Sequence, residues 1–120
     1  MDRVLIAAMI VFGTLTLGVP ARADPRDFGV VNQTGYAIRF IGVNEPGDEI
    51  YNENELRSVL AHGSKAMIHF SHADKGCVWN MKATATDGTN VFFRNLNLCT
   101  INNVTLRYNR ATDVVSYITD

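Results

Sequence analysis

The chain has 120 residues, 47% of them apolar and 19% charged, with a net charge of −1 and two cysteines. That balance excludes a disordered tail and, at this length, a multidomain enzyme. It shows no basic excess of the kind nucleic-acid binding requires.

The first element is Met1 to Ala23. Arg3 forms a short basic opening, an apolar run extends from Val4 to Phe12 and loosely to Val19, and Pro20-Ala21-Arg22-Ala23 is a small-x-small cleavage pattern. This is the layout of a secretory signal peptide. Gly13, Thr14, Thr16 and Gly18 interrupt the apolar run too often for a membrane-spanning helix. Neither a twin arginine nor a cysteine marks the cleavage site, so ordinary export without a lipid anchor is expected. The expectation is a periplasmic or secreted domain over 24–120, not embedded in a membrane after cleavage. Without Arg3, Arg22 and Asp2, the 11 basic and 12 acidic residues fall to nine and eleven, a net charge of −2.

Alternation governs the rest. Phe28, Val30 and Val31 make a first strand, stopped by Asn32-Gln33-Thr34-Gly35, with Asn32 read as a turn residue suited to left-handed backbone. Tyr36, Ile38 and Phe40 share one face of a second strand, and Ala66, Ile68 and Phe70 repeat the pattern. Cys77, Trp79, Met81, Ala83 and Ala85 form the longest single-face series. Asp87-Gly88 is a hairpin signal leading to Val91-Phe92-Phe93. Val104, Leu106 and Tyr108 follow, and Arg110 to Asp113 turns the chain into Val114 to Ile118. A period of two over short segments predicts an all-β fold, a small antiparallel β-sandwich or barrel of about seven strands. With no segment for helical crossovers, parallel pairing is not expected.

One stretch breaks the alternation. Residues 45–60 open with Glu45-Pro46-Gly47-Asp48-Glu49. Asn52 with Glu55 fits a capping box, and Leu56, Val59 and Leu60 fit one helical face. A short helix and a structured loop are both compatible with this segment.

Cys77 and Cys99 are an even pair in a chain expected to be exported, which favours a disulfide. Closing a loop of roughly 23 residues is worth roughly 3 kcal/mol in the chain-entropy account. Trp79, two residues from Cys77 on the same face, reads as core.

Four sets of residues are candidates for function. Glu45, Asp48, Glu49, Glu53 and Glu55 make an acidic loop suited to a basic partner or, through oxygen ligands, to calcium; its plain reading is a solvated connection. His69 and His72 with Asp74 have the donor types for zinc or copper, provided that a turn at Ser71 brings them to one side. Ser64, Ser71, His69 and Asp74 contain the residue types of a nucleophilic triad, but no G-x-S-x-G, H-E-x-x-H or glycine-rich phosphate motif accompanies them. No cofactor motif is present. Asn95, Asn97, Asn102 and Asn103 crowd the turn around Cys99 and form a polar rim.

Asp27 to Gly35, Leu60 to Phe70, Cys77-Val78-Trp79-Asn80, Asp87-Gly88, Asn97-Leu98-Cys99 and Val104-Thr105-Leu106 together resemble, in order, an uncharacterised family of small exported bacterial proteins. Its mature part begins with a D-F-x-h-x-N-x-T-G stretch. The resemblance implies a small β-rich fold with this disulfide and an exported location, and it implies no activity. Two departures stand out. Tyr51-Asn52-Glu53-Asn54 takes the place of a tryptophan-glycine pair, and Asn80 the place of an aspartate.

The function expected from all this is a small exported, non-enzymatic binding or interaction module for an extracytoplasmic protein or a small ligand. Inhibition of an exported hydrolase and metal binding are the alternative readings.

Overall fold

The alternating segments become seven strands among the described residues: β1 (Phe28–Gln33), β2 (Ile38–Asn44), β3 (Lys65–Ile68), β4 (Val78–Ala85), β5 (Asn90–Asn97), β6 (Asn103–Asn109) and β7 (Val114–Thr119). The computed structural model describes residues 24–70 and 75–120; the expected signal peptide and residues 71–74, which include His72 and Asp74, lie outside them. Two sheets form, ordered β3-β1-β6-β7 and β2-β4-β5, and neither closes into a barrel. Their inner faces share one core, in which Phe28, Val30, Ile41, Ile68, Met81 and Leu106 are fully enclosed. The fold is the expected sandwich.

One pairing departs from the all-antiparallel expectation. β1 and β6 run parallel, with Val30 opposite Val104 and Asn32 opposite Leu106. A parallel pair needs a long crossover. Among the described residues the crossover holds strands and no helix, β2, β4 and β5 of the other sheet included.

Residues 45–60 contain no helix, which corrects one of the two readings of that segment. Local capping loses to a tertiary partner, the free edge of β2. Asn54 Oδ1 accepts from the amides of Ile41 (3.1 Å) and Leu56 (3.0 Å), while its Nδ2 donates to the Arg39 carbonyl (2.9 Å). The Glu55 amide donates to the Ile41 carbonyl, and Leu60 exchanges both backbone bonds with Ile38. The segment thus satisfies the β2 edge that would otherwise offer unpaired backbone groups. Leu56 and Leu60 are buried as anchors of this extended run, and Val59 faces solvent.

Asn32 is also not the left-handed turn residue its neighbours suggested. Gly35 takes the positive φ of 86°. Asn32 is fully buried, and its side chain donates to the carbonyls of Tyr36 (2.7 Å) and Leu60 (2.9 Å) and accepts from the Thr34 amide and hydroxyl. One fully bonded buried amide thus ties the 32–36 turn to the segment at Leu60, the condition under which a polar group belongs in a core.

Cys77 and Cys99 are bridged, with 5.2 Å between their Cα atoms. The bridge ties the residue before β4 to the turn after β5, so it staples neighbours of one sheet. Trp79 is buried as expected. Its ring meets the Phe70 ring edge-on at 5.0 Å, and its Nε1 donates to the Gly76 carbonyl. Arg26 closes this end: its guanidinium grips Asp24 at 2.8 and 2.9 Å, donates to the Gly76 carbonyl and lies 5.1 Å from the Phe70 centroid.

The inward face of β4 tapers. Trp79 and Met81 fill the sandwich at one end, and Ala83 and Ala85 at the other leave it thin. The result is a slot of about 220 Å³ between the sheets, with Ala83, Ala85 and Phe93 on one wall and Leu106 and Val115 on the other.

Candidate functional site

The outer face of the β2-β4-β5 sheet carries Phe40, Lys82, Phe92 and Arg94, and the acidic loop folds back over it. Gly42 permits this close approach: a Cβ there would lie 2.9 Å from the Phe40 ring and 3.2 Å from the Glu53 carbonyl. Tyr51 reaches down from the loop to within 5.9 Å of the Phe92 centroid. The Lys82 ammonium sits 5.5 Å from the Phe40 centroid and 5.9 Å from that of Tyr51. Cations over aromatic faces suit this partly desolvated cluster. Glu49 clasps Arg94 through two hydrogen bonds, at 3.0 and 3.3 Å, and this partner holds the guanidinium more firmly protonated than usual. The Tyr51 hydroxyl lies beside the Asn80 side chain with no hydrogen bond of normal geometry. Burial, followed by the charge of Glu49, raises its pKa above the ordinary tyrosine value.

The five loop carboxylates do different work. Glu49 is spent on Arg94. Glu55 is half-buried against β2. Glu45, Asp48 and Glu53 face solvent. Between them stands Ile50, whose backbone is fixed on both sides: its carbonyl accepts from the Asn44 side chain, and its amide donates to Asp48 Oδ1 at 3.0 Å. Its side chain is 68% exposed. The outcome is an exposed apolar side chain on a twice-bonded backbone, in a loop that carries three solvent-facing carboxylates.

Among the described residues, no three His, Cys, Asp or Glu side chains converge as a metal site, so the loop carboxylates do not meet around a calcium-sized point. His69 is exposed and directs Nδ1 to Asp27 Oδ2 at 3.0 Å, while the other oxygen of Asp27 accepts from the Phe70 amide. The β1–β3 register accounts for the pair, because Phe28 lies opposite Ile68 and the preceding and following residues therefore meet. Ser64 is exposed, and its carbonyl accepts from the Asn32 amide. Of the asparagine rim, Asn95 has φ of 58° at a bulge between β4 and β5, where its amide donates to the buried Asn80 side chain.

Sequence reasoning missed Ile50, Tyr51, Arg94 and Asp27. Arg94 shares strand parity with Phe92, a legible sign of an outward aromatic–cation pair. Ile50 is a lone apolar residue among carboxylates, which was a visible anomaly.

No family model and no curated protein matches this chain. The chain is similar to a solved structure titled "NMR structure of the protein from Eubacterium rectale". Identity is 16%, the match covers 78% of this chain and 85% of that one, and the TM-score is 0.54. At that identity the likeness speaks to the fold alone.

Proposed function

We propose that this protein is an exported, non-enzymatic interaction module that recognises a protein partner through the tip of the 45–53 loop. The observation that carries the reading is Ile50, an exposed apolar side chain on a backbone bonded at both its carbonyl and its amide. Apolar anchors within polar rims concentrate binding energy, and a loop already fixed loses little entropy on docking. The partner surface that fits is a small apolar pocket with basic groups around it, complementary to Glu45, Asp48 and Glu53. The signal-peptide pattern, the disulfide and the resemblance to small exported bacterial proteins support an extracytoplasmic setting.

The test is capture from extracytoplasmic extract with the folded, oxidised protein as bait. The partner binds the native bait, is lost with Ile50→Asp, and shows a weaker salt dependence with Glu45→Gln, Asp48→Asn and Glu53→Gln combined. A partner retained equally by Ile50→Asp overturns the reading.

A further inference from the structure

The slot between the sheets lies away from the loop, and its chemistry is different. Its walls are aliphatic and aromatic, drawn from β2, β4 and β5 on one side and β6 and β7 on the other. An apolar cavity of about 150 Å³ stays dry and holds benzene. The 220 Å³ here therefore admits one ring with a short chain.

The mouth decides what the other end of such a ligand carries. Asp87, Asp113, Tyr36 and Tyr108 stand there, and among the described residues that line the slot itself there is no Lys, Arg or His. Each group is held in place. The Tyr36 carbonyl is bonded by the Asn32 side chain at 2.7 Å. The Tyr36 and Tyr108 rings meet edge-on at 5.7 Å. The Tyr108 hydroxyl donates to one oxygen of Asp113 at 2.7 Å. Asp87 accepts from the Thr89 amide at 2.9 Å, a bond that lowers its pKa below the ordinary aspartate value. The Arg110 guanidinium stands beside the mouth over the Tyr36 ring, 5.2 Å from its centroid, so an aromatic face here accepts a cation and the two carboxylates still outnumber the one basic group. Two fixed carboxylates and two tyrosines beside an apolar slot form a recognition set for an alkylammonium group.

We propose that this slot binds a small molecule with a single-ring apolar body and an ammonium head, the ring between Ala83, Ala85 and Leu106 and the head between Asp87 and Asp113. The site depends on none of the loop residues and stands independently of the reading above.

The test uses the full folded protein and three probes of one shape: phenethylamine, phenethyl alcohol and 3-phenylpropionate. Calorimetry measures affinity, and methyl chemical shifts locate the bound ring. The expected order is amine, then alcohol, then carboxylate, with the amine about tenfold tighter than the alcohol. Shifts fall on Ala83, Ala85 and Val115. Asp87→Asn with Asp113→Asn brings the amine down to the alcohol's affinity and leaves the alcohol unchanged. Ala85→Phe, which fills the slot, removes binding of amine and alcohol alike, with retained circular dichroism as the check on folding. The proposal is overturned if the amine does not bind the native protein, if the carboxylate matches it, if the double carboxamide variant keeps the amine preference, or if the shifts map to Ile50 instead.

Discussion

Glu49 and Arg94 lie 45 residues apart and meet through two hydrogen bonds, and this pair fastens the acidic loop to the outer face of β5. Both side chains are about half exposed, 55% and 47%. Exposed pairs contribute little to global stability, so Glu49→Gln leaves the denaturant midpoint nearly unchanged. Its effect is local. Hydrogen exchange at the Ile50 and Tyr51 amides accelerates relative to the native protein, while exchange in β4 is unchanged.

Tyr51 gives a prediction with the less common sign. Its hydroxyl is enclosed without a hydrogen bond, and removing an orphaned buried polar group is neutral or favourable. Tyr51→Phe raises the melting temperature by a few degrees, equivalent to about 1 kcal/mol in a domain of this size. The pH dependence follows from the raised pKa. The folded state favours the neutral phenol, so this contribution is fully present below the unfolded value of about 10 and is lost as pH rises through the folded value. Tyr51→Phe therefore flattens the alkaline decline in stability, as read from melts taken between about pH 9 and pH 11.

At the opposite end, Asp24 and Arg26 are 7% and 8% exposed and form a two-bonded ion pair against Phe70. Removing one member leaves a buried charge. Asp24→Ala costs about 3–5 kcal/mol in denaturant unfolding. Because the two residues act as a unit, Asp24→Leu with Arg26→Met loses less than the sum of the single changes.

Reduction of the disulfide tests the staple between β4 and the β5–β6 turn. Cys77→Ser with Cys99→Ser lowers stability by roughly 3 kcal/mol and leaves the sheet content unchanged by circular dichroism, because Leu98 and Trp79 beside the bridge are held by their own burial.

The legibility of the chain follows the range of its determinants. Strands were readable because alternation is local, except where an irregularity between Ile38 and Phe40 breaks the expected shared face, turning Phe40 outward and bringing Ile41 into the core. The Asp87-Gly88 turn was readable because φ of 94° at Gly88 suits that dipeptide. The 52–60 segment was ambiguous because Leu56 and Leu60 serve a helical face and a pinned extended run equally well. Asn54, with bonds to both Arg39 and Ile41, decided it from a distance. The β4 taper is printed in its residues, but a slot needs a second wall, and β6 and β7 supply it through a topology that spacing does not encode. His69 had its nearest carboxylate in sequence at Asp74, yet a strand register delivers Asp27 to it from 42 residues away.

The parallel pairing of β1 with β6 has a consequence for the order of assembly. β1 is an interior strand, with β3 on one side and β6 on the other, so the first of the described strands waits for the last but one. A chain growing from its N-terminus forms the β4–β5 hairpin early, whereas β1 stays unpaired on one side until residues near 109 are present and the larger sheet is complete only near 119. Such non-local closure is slow, because loop entropy is lost before the contacts that reward it are made. The topology thus leaves one backbone edge of β1 unpaired in a partly synthesised chain, an edge open to mispairing until β6 arrives.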